Sequence, residues 1–102
     1  MKYQTRVEYI DAIQFSRNNF DEVVSFTKGK VTEMIIEKKT GILCICLLET
    51  TDKTVAVLEN DYIVKNFHHF YPRHREEFEN KYVRHYTQNY KCKQNVTEND
   101  KT

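Results

Sequence analysis

Two glycines and one proline in 102 residues give this chain little punctuation. With only Gly29 and Gly41 available, no glycine-rich phosphate cradle can form, which excludes Walker and dinucleotide-binding fingerprints. Serine is as sparse: Ser16 and Ser25 stand in no nucleophile-elbow context, so a hydrolase triad has no support. Three cysteines, an odd number, argue against a disulfide framework. Cys44 and Cys46 lie two apart on an expected strand, on one face, and read as reduced core thiols. Cys92 alone cannot complete a zinc ligand set. No apolar run nears the ~18 residues of a membrane span. No basic-then-apolar leader opens the chain either, and the expectation is a cytoplasmic protein with no membrane contact.

What is present is aromatic and charged. Seven tyrosines and six phenylalanines can close one core, and 102 residues leave room for one domain. The net charge of +1 is unevenly spread. Residues 1–64 carry eight Lys+Arg against ten Asp+Glu, a balance of −2; residues 65–93 carry seven against three, a balance of +4. That asymmetry points to a basic C-terminal face able to meet an anionic partner.

Residues 7–15 alternate as a strand, with Asp11 interrupting one apolar face near an end or a bulge. Asn19 suits a helix N-cap with Glu22 in capping-box position, and Phe20, Val23, Val24 and Thr27 form the stripe behind it. Gly29 stands where a left-handed C-cap belongs. Residues 31–38 form a second strand, Lys39-Thr40-Gly41 a hairpin turn, and 42–48 a strand apolar on both faces. That strand is covered on both sides or shared in a homodimer. Residues 54–58 and 62–65 continue the sheet, and 67–71 can add a strand. Pro72 opens a last helix in which Phe78, Tyr82 and Tyr86 recur every four residues, with Arg75/Glu79 and Glu77/Lys81 as ion-pair partners. The expected fold is α+β: a mainly antiparallel sheet of four to six strands under two helices, in two layers. Residues 1–86 form the domain and 87–102 a flexible polar tail.

His68, His69, His74 and His85 are the one cluster with metal-ligating potential. Adjacent histidines on an extended segment project to opposite sides, so at most one joins His74, and no metal site is expected. A Cys–His nucleophile pair would need an exposed, acidified thiol, which the apolar neighbours of Cys44 and Cys46 oppose. The sequon Asn95-Val96-Thr97 reads as chance in a cytoplasmic tail. The basic aromatic run from Lys65 to Lys93 is the remaining candidate surface. Its tentative binding residues are Lys65, His68, His69, Tyr71, Arg73, His74, Arg75 and Arg84.

Three stretches, Ala12-Ile13-Gln14-Phe15, Asp61-Tyr62-Ile63-Val64-Lys65 and Phe70-Tyr71-Pro72, with Phe78 and Tyr82 following, carry a resemblance. The chain resembles a family of small phage and prophage proteins of low-GC Gram-positive bacteria over about residues 1–83. Two glycines of the family motif are Asn60 and Asn66 here, residues that tolerate positive φ. The loop before Phe70 is about one residue shorter, and Arg73 stands where the family often has cysteine. The resemblance implies fold and origin, with no activity to carry over. Together with the missing catalytic motifs it leads to the expectation of a non-enzymatic inhibitor without cofactor, acting on a host protein such as a CRISPR-Cas effector, as monomer or homodimer. The alternatives are a nucleic-acid-binding accessory protein using the basic aromatic face and a sponge for a signalling nucleotide.

Overall fold

The computed structural model describes residues 4–5, 8–93 and 96–97. Its elements run β1 (Gln4–Thr5), β2 (Tyr9–Gln14), α1 (Phe20–Phe26), β3 (Val31–Ile36), β4 (Leu43–Thr50), β5 (Lys53–Leu58), β6 (Tyr62–Asn66), β7 (His69–Arg73), α2 (Arg75–Lys81), β8 (Tyr82–Tyr86), β9 (Asn89–Cys92) and β10 (Val96–Thr97). The fold is α+β and mostly sheet, and every strand pair is antiparallel. The strands divide between a five-stranded sheet, ordered β7-β6-β2-β9-β8, and a three-stranded sheet, ordered β3-β4-β5. The short strands β1 and β10 pair separately.

Period-two alternation gives the five-stranded sheet two buried faces. Ile13, Ile63 and Phe70 point one way, into a core closed by Val23 of α1 and by Leu43, Ile45, Leu47 and Val57 of the small sheet. Ala12, Val64, Tyr62 and Tyr90 point the other way, where Phe78 of α2 seals a second, largely aromatic cluster. The second helix therefore works alone on its side, and its position decides what that face can do.

The expectations for 8–66 survive in outline, with local corrections; residue 7, where the first strand was expected to begin, lies outside the described residues. Asn19 precedes α1 but makes no capping bond to it. Its Oδ1 accepts from the Ser16 N–H at 2.8 Å and its Nδ2 donates to the Gln14 carbonyl at 2.7 Å, so it braces the preceding turn instead. After the C-cap Thr27, Lys28 takes the first left-handed position at φ +56 and Gly29 the next at +83, so the glycine stands one residue beyond the place expected for it. Strand β4 buries Leu43, Ile45 and Leu47, whereas Cys44, Cys46 and Leu48 on its other face are only half-buried. It is central in its sheet but covered on one side only, and Cys44 and Cys46 are not core thiols. Asp11 sits in mid-strand between Lys65 and Asn89 as cross-strand neighbours, and accepts from Asn89 Nδ2 at 3.4 Å. Neither a strand end nor a bulge is needed, because the sheet face there is open.

The larger correction is C-terminal. Pro72 does not open a helix: it lies in β7, an edge strand, opposite Ile63. An edge position tolerates a residue that cannot donate to the ladder. The helix spans only Arg75–Lys81, and Tyr82–Tyr86 is extended as β8. Phe78 and Tyr82 still meet, at 4.9 Å between ring centroids, but Tyr86 is 69% exposed. Residues 89–92, expected in a flexible tail, form β9 with Tyr90 and Cys92 buried. Lys93 then holds the end of α2, its N–H donating to the Lys81 carbonyl and its Nζ to the Glu79 carbonyl. The N-x-T sequon falls partly outside the described residues.

Candidate binding surface

The Asp61-Tyr62 pair positions the surface by holding α2. Asp61 Oδ1 accepts the N–H of Arg75 at 3.0 Å, and Oδ2 meets His74 Nδ1 at 3.3 Å. An acidic group from fourteen residues earlier thus caps a helix whose own leading residue, His74, provides no side-chain bond. Tyr62 donates its hydroxyl to Glu79 Oε2 at 2.7 Å and stacks on Phe78 at 4.0 Å, with the planes 15° apart. Tyr90 meets both rings edge-on. Burial, helped by the Glu79 bond, pushes the Tyr62 phenol well above its ordinary range. Asn60, at φ +77, makes the turn into the motif, its N–H donating to the Phe15 carbonyl. The motif is a clamp.

Because α2 has only seven residues, it leaves a cavity of about 490 Å³ between itself and the sheet. Ile10, Val64 and Phe78 line its apolar part; Tyr71 and Tyr82 stand in the wall. Arg73 Cζ lies 4.4 Å from the Tyr71 ring centroid, and Lys81 Nζ lies 5.4 Å from that of Tyr82. Glu77 adds one carboxylate. Tyr82 donates to Glu8 Oε1 at 3.1 Å, and burial with that bond pushes its phenol up to about 12. A second cavity, of about 350 Å³, shares Ile10, Val64, Tyr71 and Tyr82 with the first and reaches Lys65 and Phe67 at the β6–β7 turn. The two make one groove.

The eight residues singled out from the sequence do not gather into one face. His69, Tyr71 and Arg73 alternate along β7, toward the α2 side. Lys65 pairs with Phe70 and so belongs to the opposite face of the sheet. His68 is in the turn, and His74 and Arg75 meet Asp61 at the helix start. Arg84 is on β8, at the far edge from β7, where it donates to the Thr87 carbonyl. The histidines disperse as well, His85 lying between Tyr9, tilted at 5.0 Å, and Tyr86, edge-on at 4.1 Å. Among the described residues no three His, Cys, Asp or Glu converge as metal ligands. Neither expected helix ion pair forms, since the ion pairs among the described residues are Arg17–Glu59 and Glu49–Lys53, besides the Asp61–His74 contact. Cys46 is pushed up by burial, then by Glu33 and Cys44, the opposite of what a nucleophile requires.

Phe67, Glu77, Lys81 and Tyr82 matter more than the sequence alone conveys. Phe67 occupies the turn between β6 and β7 at φ +57, where Asn66 was the expected left-handed residue, and it is 84% exposed. A two-residue turn puts the sign change one position later than the asparagine. Tyr82 was masked by its four-residue spacing from Phe78, which is also helical spacing. Against known proteins, the chain matches no family model, no curated protein and no solved structure.

Proposed function

We propose that this is a non-catalytic phage or mobile-element protein that binds and inhibits a host factor, most concretely a bacterial defence effector such as a CRISPR-Cas nuclease, in the host cytoplasm. The observation that carries this reading is Phe67. A bulky aromatic held left-handed costs about 1–2 kcal/mol, and burial returns little of that to a ring so exposed. A phenylalanine presented at that cost, on a hairpin tip beside a groove, has the form of an anchor for an apolar pocket on a partner. The groove's charges favour a protein partner over a nucleic-acid strand. Arg73 and Lys81 are interleaved with Glu77 in one half, and Glu8 adds a further carboxylate in the other. A polyanion gains its affinity from unbroken runs of cations, whereas mixed charge is ordinary at a protein interface.

The test is a defence assay in a bacterium carrying a CRISPR-Cas system and challenged by a targeted phage. Expression of the chain restores plaques, and the Phe67→Asn protein, made at the same level, does not. Equal protection by both proteins removes the anchor. Failure of the wild type across the defence systems tried removes the inhibitor reading.

A further inference from the structure

The cavity under α2 has a chemistry that the protein-binding reading does not use. Its volume, about 490 Å³, lies within the range of small-molecule sites. Two tyrosine rings and the edge of the Phe78 cluster line a space whose floor is aliphatic. Arg73 and Lys81 give it two positive charges and Glu77 one negative, a local balance of +1. Each ingredient has a complement. Flat rings receive a flat ring, a guanidinium receives a phosphate through two parallel N–H bonds, and a lone carboxylate accepts from hydroxyl or amino groups. A single phosphate needs only one well-placed arginine, so the interleaved charges that disfavour a long strand do not disfavour a monomer unit.

The walls are held in advance. Tyr82 is tied to Glu8, and α2 is fixed at both ends, by Asp61 at its start and Lys93 at its finish. Arg73 is free to act, because in this structure it rests on the Tyr71 ring and its Nη1 donates only to the exposed Pro72 carbonyl. A guanidinium lying over the Tyr71 ring covers that face, so a base goes to the Tyr82 side of the cavity and Arg73 is left to meet its phosphate.

We propose that this cavity binds a nucleoside monophosphate unit, with the base against Tyr82, the phosphate on Arg73 and Lys81, and Glu77 accepting from the sugar or base. The unit can come from a free nucleotide or from the terminal residue of a strand, and the experiment separates them. Isothermal titration of the full chain at low salt is run with AMP, GMP, CMP and UMP, with the parent nucleosides, and with short 5′-phosphorylated oligonucleotides. Saturable one-to-one binding of at least one mononucleotide is expected, weakened about tenfold or more by Arg73→Ala and by loss of the phosphate. Arg17→Ala, which removes only the distant pair with Glu59, leaves binding unchanged. Saturable binding by oligonucleotides alone assigns the site to a strand end. The proposal is overturned if neither class binds saturably, or if Arg73→Ala has no effect while circular dichroism shows the variant folded. Phe67 does not line this cavity, so Phe67→Asn should retain the nucleotide; this keeps the outcome separate from that of the anchor.

Discussion

Phe67 offers the sharpest check, because its substitution should cost function and spare the fold. Phe67→Asn removes a ring that is 84% exposed, so about a sixth of its roughly 200 Å² of surface is withdrawn from water. At about 25 cal/mol per Å², losing that burial costs about 0.8 kcal/mol. Against it stands the relief of left-handed strain, about 1–2 kcal/mol for a bulky residue and much less for asparagine. The two nearly cancel, and the variant should lie within about 1 kcal/mol of wild type, a melting shift of at most about 4–8 °C in either direction. Phe78→Ala is the matched control. That ring is 2% exposed and packed on three tyrosines, so its loss should cost about 3–5 kcal/mol. Urea denaturation followed by tyrosine fluorescence measures both. If Phe67→Asn were destabilised by more than about 2 kcal/mol, the ring would be packing rather than presented, and the anchor argument would fail.

Other expectations follow from the clamp on α2. A double-mutant cycle of Tyr62→Phe with Glu79→Gln should show a coupling of about 0.5–1.5 kcal/mol in chemical denaturation, and no coupling would mean that the 2.7 Å bond is not formed in solution. Asp61→Ala should lower stability by about 1 kcal/mol and raise amide exchange across 75–81, since it removes the acceptor for the Arg75 N–H. Alkali should unfold the protein through its phenols. Tyr62, Tyr82 and Tyr90 are each raised above the ordinary value of 10 chiefly by burial, so between pH 10 and about 12 the unfolded chain loses protons that the folded one keeps. Stability is unaffected by these groups below pH 10 and falls as pH rises through that window. Tyrosinate absorbance measured against circular dichroism should show the ionisation of these three tyrosines, out of seven, coinciding with unfolding; full ionisation of a folded protein would contradict the burial.

Residues 12–14 and 62–65 were legible as strands because alternation is a local signal, and their successive buried residues join the two opposite cores in turn. Gly29, and Asn60 as a tolerated positive-φ position, were legible for the same reason: a left-handed turn restricts the residue that occupies it. The span 72–92 was not. Phe78-x3-Tyr82-x3-Tyr86 satisfies helical spacing, yet the helix ends at Lys81 and the next five residues are extended. What overrides the spacing is the open edge of β2, which Tyr90 and its neighbours complete as β9 while β8 pairs outside them. A strand edge offers every backbone group a partner, and no local pattern records that such an edge is waiting. The basic face failed likewise, since counting charges along a chain does not say which side of a strand each one takes.

By itself the sequence determined the α+β class, the alternating strands through residue 65, the positive φ of Gly29 and Asn60 and the absence of a glycine-rich phosphate loop. These rest on backbone sterics and on the period of apolar side chains, which act over a few residues. The tertiary structure alone decided that the strands form two sheets, that Asp61 and Tyr62 clamp a two-turn helix, that Phe67 stands out at a hairpin tip, and that a cavity opens between Tyr71 and Tyr82. Each depends on a contact between segments distant in the chain, and such contacts are settled by which surfaces remain to be covered once the local elements have formed.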